Sequence, residues 1–236
     1  QRRGMSIDLG FAEFHLPSGR LAGIVDVPGH ERFLKNMLAG ATGVDFALLV
    51  VAADEGVMPQ TVEHLAILQA LDIPNGLTVI TKADTVEPEW LAMVTADTRK
   101  ALAGTFLEEE PVLAVDSVSR RGLDELVAAL DATAAALPDA DAARPAYLPV
   151  DRVFVRPGFG AVVTGSLRSG RLSVGDSVVI YPAGKPARVR GLQTFGQSES
   201  VAEAGMRTAV NLAGVDASEL ERGDVVAAPG SLNASS

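Results

Sequence analysis

The spacing of apolar positions changes period several times along the chain. Residues 6–16 alternate roughly between apolar and polar, Pro17-Ser18-Gly19 turns the chain, and Arg20 to Val27 forms a second run, so this region predicts a β-hairpin. Beyond Asp26, the residues Phe33, Met37 and Leu38 recur at helical spacing and predict a short helix ending near Gly40. Phe46 to Ala53 is a continuous apolar run between Asp45 and Asp54, the pattern of a strand covered on both faces of a parallel sheet. Pro59 to Ala70 predicts a helix with Val62, Leu65, Ala66 and Leu68 inward. The alternation then repeats as strand Leu77–Thr81, helix Glu87–Ala103, strand Val112–Val115 and helix Leu123–Leu137. Strands alternating with helices predict an α/β domain over residues 1–137, with a parallel sheet whose ligand site lies beyond the C-terminal strand ends. Asp26, Asp54, Lys82 and Asp116 all fall at such ends.

A stretch of small and helix-breaking residues, 138–149, reads as a linker, after which the texture changes. Short β-branched runs at Val153–Val155, Ala161–Thr164, Ser177–Ile180, Ala187–Arg190 and Ala209–Leu212 are separated by glycines read as turns, Gly165 and Gly191 among them. That spacing predicts a small antiparallel β-barrel over residues 150–230.

Composition narrows the class. At 236 residues and 47% hydrophobic content the chain has material for two ordinary cores. No apolar run reaches the roughly 20 residues needed to cross a bilayer, and no signal-peptide pattern is present, so a cytoplasmic protein without membrane contact is expected. The absence of cysteine removes disulfides and thiolate metal sites. A net charge of −10 argues against wrapping nucleic acid over the whole surface, so any such contact must be local.

Two motifs at the ligand side carry chemistry. Asp26-Val27-Pro28-Gly29-His30 joins a strand end to a helix start, where a carboxylate can hold a metal through water and a glycine N–H can approach an anion; the same residues also suit an ordinary turn. Thr81-Lys82-Ala83-Asp84 follows the next-but-one strand. A carboxylate there can accept hydrogen bonds from N1–H and the exocyclic amine of guanine, a pairing adenine cannot offer, while the lysine stem packs over the base; four residues alone also fit a solvated loop.

Arg3-Gly4-Met5-Ser6-Ile7, Asp26-Val27-Pro28-Gly29-His30 and Thr81-Lys82-Ala83-Asp84, in this order and spacing, resemble the translational GTPases of the elongation factor Tu class. The runs 3–12, 30–40 and 50–61, together with Thr81 and with Gly158 to Ser166 in the barrel, are more closely similar to the bacterial selenocysteine-specific branch of that class. The resemblance implies a P-loop GTPase-type domain followed by a translation-factor barrel, with GTP or GDP and Mg2+ as cofactors. It implies that Ser6 binds magnesium by its hydroxyl and Asp26 through water, that Pro28 and Gly29 belong to the γ-phosphate-sensing turn, and that His30 orients the attacking water, held back in part by Met5. It assigns Thr81, Lys82 and Asp84 to guanine, with Ser117 in the last guanine loop, where Asp116-Ser117-Val118 departs from the usual Ser-Ala. His15 and His64, outside the motifs, read as surface or capping residues.

In the barrel the resemblance puts Asp151, Arg152 and Arg207 around the aminoacyl end of a tRNA, where two arginines would suit a deprotonated selenol; a surface ion-pair cluster is the plain alternative. The implied function is delivery of selenocysteinyl-tRNA to the ribosome at recoded UGA codons by a monomeric factor, an mRNA hairpin being reached only through domains beyond this stretch. A general elongation or initiation factor, or a non-catalytic remnant used as a binding module, are the alternatives. No Gly-x-x-x-x-Gly-Lys-Ser/Thr phosphate loop occurs in the 236 residues. A piece truncated at both ends, inactive by itself, is therefore expected.

Overall fold

The computed structural model describes residues 10–29, 44–137, 141–156, 158, 160–194 and 196–232. Met5, Ser6, His30 and the short helix expected after Asp26 lie outside these residues. The chain divides into two units, one ending at Leu137 and the other beginning at Pro138.

In the first unit, β1 (Gly10–His15) and β2 (Leu21–Asp26) form the expected hairpin, in register from Gly10↔Asp26 to His15↔Leu21. The turn is closed by Leu16 N–H donating to the Arg20 carbonyl at 2.9 Å. β3 (Ala47–Ala52), β4 (Gly76–Thr81) and β5 (Val112–Ala114) make a parallel sheet in that order, connected by α1 (Pro59–Ala70) and α2 (Pro88–Leu102), with α3 (Leu123–Ala136) after β5. Both α1 and α2 carry proline in the first turn, where its fixed φ suits a helix and its missing N–H costs nothing. Leu49, Val51, Ala53 and Ile80 pack against Leu65 of α1 and Val94 and Leu102 of α2, while Leu77, Val79 and Val115 pack against Leu123, Leu126 and Leu130 of α3. α3 also holds the hairpin: its Asp131 accepts from the Ser18 N–H at 3.1 Å.

Among the described residues, Leu49 and Val51 of β3 are buried while Leu48 and Val50 are 42% and 54% exposed. One expectation fails in detail. In α1 Leu65 is buried and Leu68 half-buried, but Val62 and Ala66 are exposed. Each lies one residue, about 100° of rotation, from the inward line, and four apolar residues spread over two adjacent lines leave the rotation open.

The second unit is the expected barrel. Its main antiparallel sheet runs in the order β6 (Tyr147–Pro149), β15 (Val225–Ala227), β10 (Ser177–Tyr181), β11 (Lys185–Thr194), β14 (Arg207–Ala213), β8 (Gly160–Ser166), β7 (Arg152–Arg156); β12 (Gln197–Glu199) pairs with β11, and β13 (Val201–Glu203) with β9 (Arg171–Ser173). Leu148, Val163, Ile180, Val189, Val210, Leu212 and Val226 fill one core. β6 lies inside the stretch read as linker, and its Leu148 is fully buried. Gly165 and Gly191 are not turns: Gly165 lies within β8, and Gly191 within β11 at a break in register after Val189.

Candidate functional site

Parallel pairing sets Ala52 beside Thr81, so the residues that follow β3 and β4 emerge side by side. Lys82 adopts a left-handed backbone, φ 57°, and opens a single 3-10 turn, Ala83–Thr85, closed by Thr85 Oγ1 donating to the Lys82 carbonyl at 2.7 Å. Its ammonium donates to both oxygens of Asp54, at 2.7 and 2.9 Å. That hydrogen bond holds the Asp54 carboxyl below the usual carboxylate range and the Lys82 ammonium above its ordinary value. Thr81 Oγ1 donates back to the Val51 carbonyl at 3.3 Å, tying the two strand ends together. The Ala53 carbonyl accepts from the Trp90 indole N–H at 2.8 Å, which fixes the start of α2 against the Asp54 loop.

Asp84 points toward the loop after β5. Its Oδ2 accepts from the Ser119 hydroxyl and its Oδ1 from the Arg121 guanidinium at 3.2 Å. Asp116 shapes that loop: its Oδ1 accepts the backbone N–H groups of Val118 at 2.8 Å and Ser119 at 2.7 Å. The Ser119 N–H first, then that of Val118, holds the Asp116 carboxyl below its ordinary value. Ser119, two residues past Ser117, is thus the serine whose side chain meets Asp84. The backbone N–H of Ser117 donates to no acceptor among the described residues.

The charge on Asp116 is stabilised most above its unfolded pKa of about 3.9, and that stabilisation is lost as pH falls through the lowered folded value. Asp116→Asn keeps an oxygen for both N–H groups but not the charge. Its melting temperature is expected to lie below that of the unsubstituted protein at pH 6, with the gap closing in the acid range; a gap independent of pH contradicts this.

At the end of β2, Asp26 is exposed and opposite Gly10, where a Cβ would lie 3.1 Å from the Asp26 Cβ. Pro28 is buried and Gly29 exposed. A Cβ on Gly29 would stand 3.6 Å from Cε1 of His64, so the half-buried His64 of α1 lies beside this turn. Asp26 is one open carboxylate, a donor set that suits an ion retaining several waters, as magnesium does.

In the barrel, Arg207 grips Asp151 with two N–H groups, one of them NH2 to Oδ1 at 2.9 Å, and NH2 also donates to Thr164 Oγ1 at 3.1 Å. Thr164 closes the triangle by donating to Asp151 Oδ1 at 2.8 Å. The pair is only 16–17% exposed, so it is shielded from water on most sides. Arg152 stands directly opposite Thr164, and Arg207 opposite Ser166, which puts both arginines on the same face of β8. The structure therefore gathers Asp151, Arg152 and Arg207, and adds Thr164. Parity along β8 marks Thr164 as sharing the outer face with Ser166, but only the strand order brings it to Arg207.

Ser119, Arg121, Trp90 and His64 carry no motif and do not stand out in the sequence. Their roles depend on which loops meet at the strand ends.

Residues 1–136 match the family model for the elongation factor Tu GTP binding domain, and residues 160–227 that for elongation factor Tu domain 2. The chain is 51% identical over 235 residues to a selenocysteine-specific elongation factor of Desulfomicrobium baculatum, covering 98% of this chain but 37% of that protein. Its fold is similar to a crystal structure of bacterial selenocysteine-specific elongation factor EF-Sec, with TM-score 0.89 and 36% identity over 97% of this chain and 39% of that one. It is also similar to translation elongation factor SelB from Methanococcus maripaludis in complex with the GTP analogue GppNHp, with TM-score 0.87 and 31% identity over 95% of this chain and 50% of that one. The chain thus spans well under two thirds of the relatives it matches. By the match across its first 136 residues, continued by the barrel that follows them, the chain belongs to the elongation factor Tu GTP-binding family.

Proposed function

We propose that the chain is the part of a selenocysteine-specific translation elongation factor that senses guanine nucleotide and holds the aminoacyl end of selenocysteinyl-tRNA, for delivery to the ribosome with GTP hydrolysis. The observation that carries this reading is the 51% identity to a selenocysteine-specific factor across 98% of the chain. The described geometry is compatible with its guanine-reading part, and the roles of Ser6 and His30 rest on the family resemblance alone. Asp84 takes the N1–H and amine edge of guanine. The Ser117 N–H faces the carbonyl edge, and the Lys82 stem, steadied by Asp54, covers the ring. By the family resemblance, Asp26 would hold magnesium through water and the Ser6 hydroxyl would bind it directly. Gly29 reads the γ-phosphate next to Pro28, and His30 orients the water. Since phosphoryl transfer depends on positioning and charge stabilisation, these groups act by placement rather than by covalent help. A soluble, monomeric, cytoplasmic factor fits this role, and no described helix is long and apolar enough to cross a membrane.

In the barrel, Arg207 and Arg152 supply positive charge for a selenolate, with Asp151 and Thr164 fixing the Arg207 fork. Arg207→Ala in the full-length protein is expected to weaken selenocysteinyl-tRNA binding more than seryl-tRNA binding, read by fluorescence titration. Arg207→Lys keeps the charge without the bidentate fork and should fall between. Equal weakening of both tRNAs rejects the selenolate pocket.

A further inference from the structure

Arg121, which no motif marks, stands outside these roles. Its guanidinium lies on the Asp84 carboxylate, NH1 to Oδ1 at 3.2 Å. The contact is built by the loop rather than by chance of a long side chain. The Arg121 carbonyl accepts the Asp116 N–H at 3.0 Å, while Asp116 caps Val118 and Ser119, so both ends of the segment that presents Ser119 and Arg121 are pinned to Asp116. The Gly122 that follows has a positive φ of 71°, and a Cβ there would stand 2.3 Å from the Ala114 carbonyl, which holds the segment against the end of β5. Asp84 is 31% exposed and Arg121 67% exposed, so the pair stands at the surface where a base would dock.

A guanidinium and the N1–H/amine edge of guanine are chemically alike: each is a planar N–C–N unit presenting parallel N–H donors to a carboxylate. Guanine reads Asp84 through both oxygens, and one of them is engaged by Arg121. We infer that Arg121 is an affinity-setting residue of the guanine site, an internal surrogate for the guanine edge that competes with the nucleotide for Asp84 and speeds its release. This rests on the reading of Asp84 as the guanine acceptor.

An alternative role is structural support, in which Arg121 orients Asp84 for the base. The two differ in sign. An exposed ion pair is a weak competitor, so the gain on removing it is modest. In the full-length protein, Arg121→Gln is expected to raise GTP and GDP affinity alike by about two- to fivefold, mainly through slower dissociation of a fluorescent guanine nucleotide in stopped flow. The gain should shrink as salt rises, because salt screens the pair that competes. In an Asp84→Asn background, the same substitution should have no effect on residual nucleotide binding. Unchanged or weakened affinity in Arg121→Gln, or an equal gain with and without the Asp84 carboxylate, overturns the inference. Failure of the unsubstituted protein to prefer GTP over ATP rejects the guanine reading itself, and is read in the same experiment before either variant is compared.

Discussion

Asp84→Asn in the full-length protein is expected to lower affinity for GTP and GDP by about 3 kcal/mol, or roughly 100- to 200-fold. The carboxylate accepts two donors from guanine, and hydrogen bonds to a charged group each contribute about 1.5–3 kcal/mol. Asparagine keeps one acceptor and turns an amide N–H2 toward the guanine amine, so one bond is lost and two donors face each other. The same change should favour xanthosine nucleotides, whose C2 carbonyl accepts that amide. Equilibrium titration with GDP and XDP reads both effects. Unchanged GDP affinity, or loss of GDP with no gain for XDP, rejects Asp84 as the base reader.

Gly165→Ala should destabilise the barrel by about 3 kcal/mol, the upper end of the usual cost of overpacking. A Cβ at this position would fall 1.9 Å from the Pro149 carbonyl oxygen and 3.0 Å from Leu148 Cδ2. The obstacle is backbone, and that backbone is pinned because Pro149 pairs with Val225 of β15. It cannot swing aside as a flexible side chain would. Gly184 makes a fair contrast: its φ is 68°, but nothing lies within 4 Å of the point where its Cβ would stand, so Gly184→Ala should cost only the left-handed penalty of about 1–2 kcal/mol. Calorimetric melting separates the two. Equal losses at both positions would contradict the packing of β6 over β8.

Much of the α/β half was legible because its elements announce themselves by period and punctuation. The bounds of α1 match the sequence reading residue for residue, since Pro59 fixes its start, and β4 needed only the apolar run before Thr81. Packing was less legible than existence. The true inward line of α1 depends on which neighbours arrive from elsewhere in the chain. In the barrel, β6 was hidden among prolines and alanines because a three-residue strand has no period to detect, and its membership is decided by Leu148 filling the core and by pairing with β15. Gly165 looked like a turn because glycine usually marks one; here it is required by a close approach of backbone.

The candidate sites divide in the same way. Asp26, Lys82 and Asp84 were readable from type and position at strand ends. Asp54 was visible as a strand-end residue, but its pairing with Lys82 follows from the parallel register of β3 and β4. Ser119, which no reading of the sequence singled out, meets Asp84 because Asp116 folds its carboxylate back onto the loop and turns the serine three residues on toward Asp84. Arg207 and Asp151 are 56 residues apart and meet only through the β7–β8–β14 order, with Thr164 of the middle strand between them.

The most direct test of the proposed function is discrimination between aminoacyl-tRNAs by the full-length protein. Loaded with a non-hydrolysable GTP analogue, it should bind selenocysteinyl-tRNA much more tightly than the same tRNA carrying serine, and this preference should fall when GDP replaces the analogue. Equal affinity for the two tRNAs in the presence of the analogue, or a preference for a general elongator tRNA, would contradict the assignment.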